Sequence, residues 1–268
     1  MAEGRMSSVA DQLESLRLQI GGRNGPDTPT AFLNRLTVTA IGQRFDLDFY
    51  GDAFGDCFIL LLDVLSRPDI APHIRSIILR GPDEGANGTR NWDLEPLLAT
   101  DAMFGGMESL AIQQNRPEDH NRTIVGQDYE EDGVLGRLLA KTASLRELTV
   151  PSAPAANFFQ LGPRPLRFLS VDSGFDTQSF IRNLAHSSAF ADLKSLEFGE
   201  YNETHIDDFR ANCTPLDDYY LLFRSAAFAT VKRFVWRNPV CSTDEIVKLK
   251  NLRPDLQMLV IRSSAEYV

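Results

Sequence analysis

The sequence lacks most features that would fix its class at once. It has three cysteines, Cys57, Cys213 and Cys241, far apart and without metal-ligand spacing. An odd, scattered set cannot close a disulfide framework, so reduced thiols and a cytoplasmic setting are expected. Basic residues are outnumbered, 27 Lys+Arg against 37 Asp+Glu, for a net charge of −10. Neutralising phosphates takes clustered cations, so nucleic acid is not the expected partner, whereas a protein with a basic surface is. The longest apolar run, Phe58 to Leu62, is far too short to span a bilayer. Glu3, Asp11 and Glu14 interrupt the first twenty residues, which therefore match neither a signal nor a transit peptide. Without an export signal, the Asn-x-Thr triplets at Asn87, Asn121, Asn202 and Asn212 are expected to be chance matches. The nucleophile, phosphate and zinc signatures G-x-S-x-G, GxxxxGK[ST], H-E-x-x-H and C-x-x-C are all missing. No catalytic residue, cofactor or metal ligand is expected.

What is present is a repeat. Seven segments share the spacing apolar-x-x-apolar-x-apolar: Ile74/Ile77/Leu79, Met107/Leu110/Ile112, Leu145/Leu148/Val150, Leu166/Leu169/Val171, Leu193/Leu196/Phe198, Val231/Phe234/Trp236 and Leu256/Leu259/Ile261. The position after the first apolar residue is nearly always charged, as in Leu145-Arg146, Leu166-Arg167, Leu193-Lys194 and Val231-Lys232. The last two apolar positions point to one face of an extended strand. A strand this short cannot bury that face alone, but copies stacked side by side make a parallel sheet with a continuous core.

Helical segments are expected between the strands. Ser242-Thr-Asp-Glu245 is a capping box, Thr214-Pro215 supplies an N-cap with proline at the first helical position, and Asp176 or Thr177 can cap the run Phe180, Ile181, Leu184. Ala53 to Leu65 reads as a well-buried helix containing Cys57. Cys241, beside the capping serine, is expected at partial exposure. Three intervals exceed the usual 20–29 residues and carry insertions at Pro82 to Arg90, Gln114 to Asp132 and Glu200 to Asp218, all just after a strand. Such loops gather on one rim of a rigid scaffold. Before residue 70 the pattern blurs: Val9, Leu13, Leu16 and Ile20 have helical spacing, and Leu36 to Ile41 and Phe45 to Phe49 alternate as strands.

The segments Tyr129-Glu-Glu-Asp-Gly-Val-Leu-Gly-Arg-Leu-Leu, Leu145-Arg-Glu-Leu-Thr-Val-Pro-Ser-Ala-Pro, Leu193-Lys-Ser-Leu-Glu-Phe-Gly-Glu-Tyr-Asn-Glu-Thr and Leu252-Arg-Pro-Asp-Leu-Gln resemble bacterial cytoplasmic leucine-rich-repeat proteins of unassigned function. The resemblance covers roughly residues 45 to 268 and implies a single curved solenoid with a non-enzymatic role. The asparagine that ladders after the strand in many such repeats is missing here. The expected fold is thus α/β, a leucine-rich-repeat solenoid with a parallel concave sheet, outer helices and an irregular N-terminal cap. Residues 1–30 form an N-terminal helix and linker, 31–70 a capping unit, and 71–268 the seven repeats.

Strand phase names the residues on the concave face. Phe168, Asp172, Glu197, Arg233, Val235 and Arg237 are expected there, together with Met258, Val260 and Arg262, while Trp236 falls in a core phase. Asp128, Tyr129, Glu130 and Glu131 are expected to form an acidic rim, as are Glu200 to Asp218. An aromatic flanked by arginine is a common interaction hot spot. The expected function is protein binding through the concave face and acidic rim, as an immunity-type antagonist or an adaptor. The alternative is an enzyme whose rim carboxylates hold a divalent ion. His205, near Glu203, Asp207 and Asp208, could join such a site, although a solvated loop is the commoner meaning of that pattern.

Overall fold

Each short strand gains its partner from the next unit along the chain, and the sheet grows in chain order. A computed structural model describes residues 8–83, 88–116, 118–127, 131–200 and 208–263. It opens with helix α1 (Val9–Gly22) and the hairpin β1 (Arg35–Ile41) and β2 (Arg44–Tyr50). Then follow α2 (Asp56–Leu65), β3 (Ile74–Arg80), β4 (Gly88–Trp92), α3 (Glu95–Leu98), β5 (Ser109–Ile112), β6 (Asn121–Val125), α4 (Val134–Lys141) and β7 (Glu147–Val150). The chain continues through β8 (Phe168–Asp172), α5 (Phe180–His186), β9 (Ser195–Gly199), α6 (Phe209–Asn212), α7 (Leu216–Arg224), β10 (Arg233–Arg237), α8 (Thr243–Leu252) and β11 (Gln257–Ile261). The main sheet has nine strands in the order β1-β2-β3-β5-β7-β8-β9-β10-β11. Among the described residues of this sheet only the β1–β2 hairpin is antiparallel. This is an α/β architecture with a mostly parallel sheet.

The expected core phase holds in six of the seven units. Ile77, Leu110, Leu148, Leu169, Leu196 and Phe234 stand in register across neighbouring strands. All are buried in one continuous core, as are the first apolar residues of the units, Ile74 to Val231. Helices contact one another in sequence, α1 with α2, α2 with α3, α3 with α4, α5 with α7 and α7 with α8, and a 3-10 turn at Ala156–Phe159 replaces a helix between β7 and β8. The layer between the later helices and the sheet is filled by aromatic rings: Phe180 stacks on Phe198 at 5.1 Å, and Tyr219 meets Trp236 at 4.1 Å.

The seventh unit departs by one residue. Phe234 pairs with Met258 and Trp236 with Val260, so Leu259 and Ile261 fall opposite Val235 and Arg237. The link from Leu256 into β11 is one residue shorter than its counterparts, and side-chain direction alternates at every residue, so this slip inverts the strand. Leu259 and Ile261, expected in the core, are 48% and 40% exposed on the open face. Met258 instead packs against the core, so it and Val260 leave the open face on which they were expected.

Two of the insertions carry structure of their own. β4 and β6 pair in parallel as a small second sheet, with Trp92 opposite Val125 and both buried. Asp83 ties the insertions together, accepting the backbone N–H groups of His120 and Asn121 at 3.1 Å and bonding the His120 ring at 2.8 Å. Burial pushes the Asp83 carboxyl up, but these bonds outweigh it and hold the group below its ordinary value. Of the expected caps, the Ser242–Glu245 box is present, and a second box, Ser8 with Asp11, opens α1. At α5 the position before the helix is Ser179 rather than Asp176 or Thr177, and Asp176 accepts from the Gln178 N–H instead. α7 begins at Leu216, one residue beyond Pro215.

Leu148, Leu169 and Leu196 are each at most 2% exposed. Replacing any of them by Ala should cost about 2–5 kcal/mol, whereas Leu259→Ala should cost less than about 1 kcal/mol. Urea midpoints of the four variants check both the shared core and the inverted phase of β11. Equal losses at Leu259 and Leu196 would place β11 in the wrong register.

Candidate functional site

The open face of the sheet gathers four of the expected site residues into one network. Asp172, Gly199 and Arg237 stand in register on β8, β9 and β10, and Glu197 lies beside Val235. The Arg237 guanidinium donates to Asp172 at 2.7 Å and to Glu197 at 3.2 Å, while Arg233 donates to the other Glu197 oxygen. Ser170 donates to Gln114 at 3.1 Å and lies 3.5 Å from Glu197, extending the network to β5's outgoing loop. Side-chain exposure of Asp172, Glu197 and Arg237 is only 18–23%, so these pairs are sheltered from solvent screening. Burial pushes the Asp172 carboxyl above its ordinary value, against the pull of Arg237 and, more weakly, Arg122.

This crossing of β9 requires glycine. A Cβ on Gly199 would lie 2.3 Å from Asp172 Oδ1 and 3.3 Å from Arg237 Nε, inside the ion pair itself. Phe168 is half-buried at the amino-terminal end of β8. Val235, expected as an exposed apolar contact, is 2% exposed, although it lies outside the main core cluster. It is the smaller side chain between Arg233 and Arg237. Exposed apolar surface comes instead from Leu259 and Ile261.

The rim is built differently from the expectation. Glu131 is 3% exposed, and its carboxylate accepts N–H bonds from Gly133, Leu135 and Ala155, pinning the start of α4 to the loop after β7. Burial raises its carboxyl against those three bonds. Glu200 is likewise 6% exposed, accepting from the Tyr219 hydroxyl and from the Thr214 N–H at 3.1 Å. Its carboxyl is pushed up by burial, and burial together with the Glu200 charge drives the Tyr219 phenol far above its usual value. A buried carboxylate must be bonded, and here the bonding groups are backbone and phenol donors, so both residues serve the scaffold. Asp128, Tyr129 and Glu130, and the acidic stretch 201–207 with His205, lie outside the described residues. Among the described residues no three of His, Cys, Asp and Glu are placed to hold a metal ion, and no helix is long and apolar enough to cross a membrane. None of the three cysteines forms a disulfide and all are buried; for Cys241 this corrects the expected partial exposure, and burial pushes its thiol up to about 11.

A cleft of about 230 Å³ opens where β8 to β11 end, with Asp172, Arg237 and Asn238 on one side and Arg116 and Arg122 from the second insertion on the other. The strand pattern could not reveal Arg116 and Arg122, because an insertion has no phase. On the opposite half of the face, Arg80 pairs with Asp48 at 2.6 Å, Arg44 with Glu108 at 2.7 Å, and Arg75 with Asp46. The arrangement offers hydrogen-bonding and charged groups at fixed spacing. Comparison with protein-family models, curated proteins and solved structures gives no match.

Gly199→Ala should destabilise by about 1–3 kcal/mol through overpacking against the Asp172–Arg237 pair. Gly162→Ala, whose added Cβ meets nothing within 4 Å, is the comparison. Equal urea midpoints for the two variants would rule out the close crossing. Glu131 supplies a pH test. Because its folded-state carboxyl titrates above the unfolded one, its favourable contribution is complete at low pH and is lost as pH rises through the raised value. The stability of wild type relative to Glu131→Gln should therefore fall as pH rises above the ordinary carboxylate range. Denaturation midpoints of both proteins against pH check this; a constant difference would contradict the burial-driven shift.

Proposed function

We propose that this protein is a non-enzymatic binding module of the leucine-rich-repeat solenoid kind that engages a protein partner through the open face of its sheet, as an antagonist or an adaptor. The observation that carries this reading is the juxtaposition of exposed Leu259 and Ile261 with the sheltered Asp172–Arg237–Glu197–Arg233 network and half-buried Phe168. Apolar side chains beside pre-positioned arginines are the composition of energetic centres in protein interfaces. A network already organised before binding loses little side-chain freedom when it is covered. The solenoid reading is supported by the in-register core positions of six units and by strands that follow chain order. Glu131 and Glu200 turn inward, so the reading rests on the sheet face rather than on the rim.

Reversing Arg233 or Arg237 would confront Glu197 with a like charge and confuse folding with binding. Leu259 and Ile261 are better probes. Leu259→Asp/Ile261→Asp should weaken a partner recovered by affinity purification on the order of tenfold or more. Val247→Asp/Leu252→Asp alters two aliphatic residues of α8, 51% and 36% exposed, by the same chemistry and charge, and should leave affinity within about threefold. Titration calorimetry with unchanged melting temperatures decides between them. Equal effects of the two pairs would overturn binding through the open face.

A further inference from the structure

We propose that the amino-terminal edge of this face, at Arg146, Arg167 and Lys194, binds an acidic, extended polypeptide segment lying across the strands. The proposal rests on the protein-binding reading above and specifies the partner's chemistry.

The charged second positions of the first six units form a continuous row. The Glu108 N–H donates to the Arg75 carbonyl at 2.8 Å, Arg146 to Glu108 at 2.8 Å, Arg167 to Arg146 at 2.7 Å, Lys194 to Arg167 at 2.9 Å and Lys232 to Lys194 at 2.8 Å. Neighbours in this row stand one strand spacing apart, about 4.8 Å at the backbone. Its outer members are neutralised: Arg75 by Asp46, Glu108 by Arg44, and Lys232 by Asp255 at 3.1 Å. The three central cations are exposed and make no ion pair among the described residues. Strand pairing thus holds three like charges together in a chain that carries an excess of ten acids. The Arg146 charge reaches Glu108 and helps to lower its carboxyl, but Glu108 is already paired with Arg44. Among the described residues none of the three cations therefore has an ion-pair partner of its own, and a counter-charge from outside would relieve their mutual repulsion.

A shallow cleft of about 410 Å³ lies beside the row, lined by Arg75, Arg146 and Arg167 and by the open-face residues Ser76, Ser109 and Glu147. The carboxylates within it select the kind of anion. Glu108 is taken up by Arg44, but Glu147 is exposed, so a densely charged phosphate backbone would meet repulsion there as well as from the net charge of the chain. An extended peptide presents same-side groups about 6.6 Å apart and can place acids against Arg146, Arg167 and Lys194 with a neutral residue opposite Glu147. The partner chemistry differs from the one implied by net charge, because an interface responds to local charge.

The test uses the full chain and a fluorescein-labelled peptide in which glutamates are interspersed with serines, followed by anisotropy at low and at high salt. Binding should be present at low salt, weaken as salt rises, and drop about tenfold or more in Arg146→Glu/Arg167→Glu. Arg224→Glu/Lys248→Glu, with the same change of net charge away from the row, should keep most of the affinity. Arg146→Gln/Arg167→Gln gives a smaller loss in the same direction and covers the case in which charge reversal disturbs folding. Absence of salt-sensitive binding, equal losses from the two reversed pairs, or tighter binding of a labelled oligothymidylate of matched length would each overturn the proposal. Where a protein partner is in hand, loss through Leu259→Asp/Ile261→Asp with full retention in Arg146→Glu/Arg167→Glu overturns the edge site alone. The converse pattern overturns the open-face reading and supports the edge.

Discussion

The register of parallel strand pairing is the constraint on which everything else in this protein depends. A carbonyl at the second position of one unit accepts the N–H of the second position of the next, and often that of the third as well: Arg146 accepts from Arg167 and Phe168, Arg167 from Lys194 and Ser195, and Lys194 from Lys232 and Arg233. These bonds decide which side chains stand side by side, and alternation decides which face they share. One row of second positions becomes a charged edge, the fourth and sixth positions become core, and the fifth and seventh become the open face. β11 illustrates the strength of the rule, since a link one residue shorter sends Leu259 and Ile261 outward.

The same register creates both the close contacts and the polar interior. Asp172 reaches Arg237 only because a glycine intervenes on β9. Glu131 and Glu200 are held inside by backbone and phenol donors and fasten the loops after β6 and β9 to the helical layer. Large rings make up the difference in width between the layers, from Phe158 and Phe190 at 5.2 Å to the Phe223, Phe228 and Phe234 group. A face built on such a scaffold presents its charges at spacings that binding does not have to create.

Charge behaves as a local quantity on this surface. The chain as a whole is acidic, but many of its described acids pair with arginine, cap helices as Asp11 and Glu245 do, or lie in the interior, while others such as Glu147 stay exposed. What remains exposed and uncompensated along one sheet edge is cationic. Net charge governs long-range approach, whereas the groups within a Debye length of the contact govern recognition.

The sequence by itself determined the α/β class, the positions of the nine main-sheet strands and six of the seven core phases, because period-two alternation and a recurring spacing are local properties of the chain, whereas β4 and β6 lie in segments that read as loop insertions. It also placed Asp172, Glu197, Arg233 and Arg237 on one face, since alternation fixes direction once a strand is assigned. Tertiary structure alone decided the rest. The ion-pair partners, the glycine crossing, the burial of Val235, Glu131 and Glu200, the pairing of β4 with β6, and the turning out of Leu259 and Ile261 all depend on residues distant in sequence. Glu131 and Glu200 look like any other loop acids in the chain. Only the donors folded around them, Ala155 for one and Thr214 and Tyr219 for the other, show that they are buried.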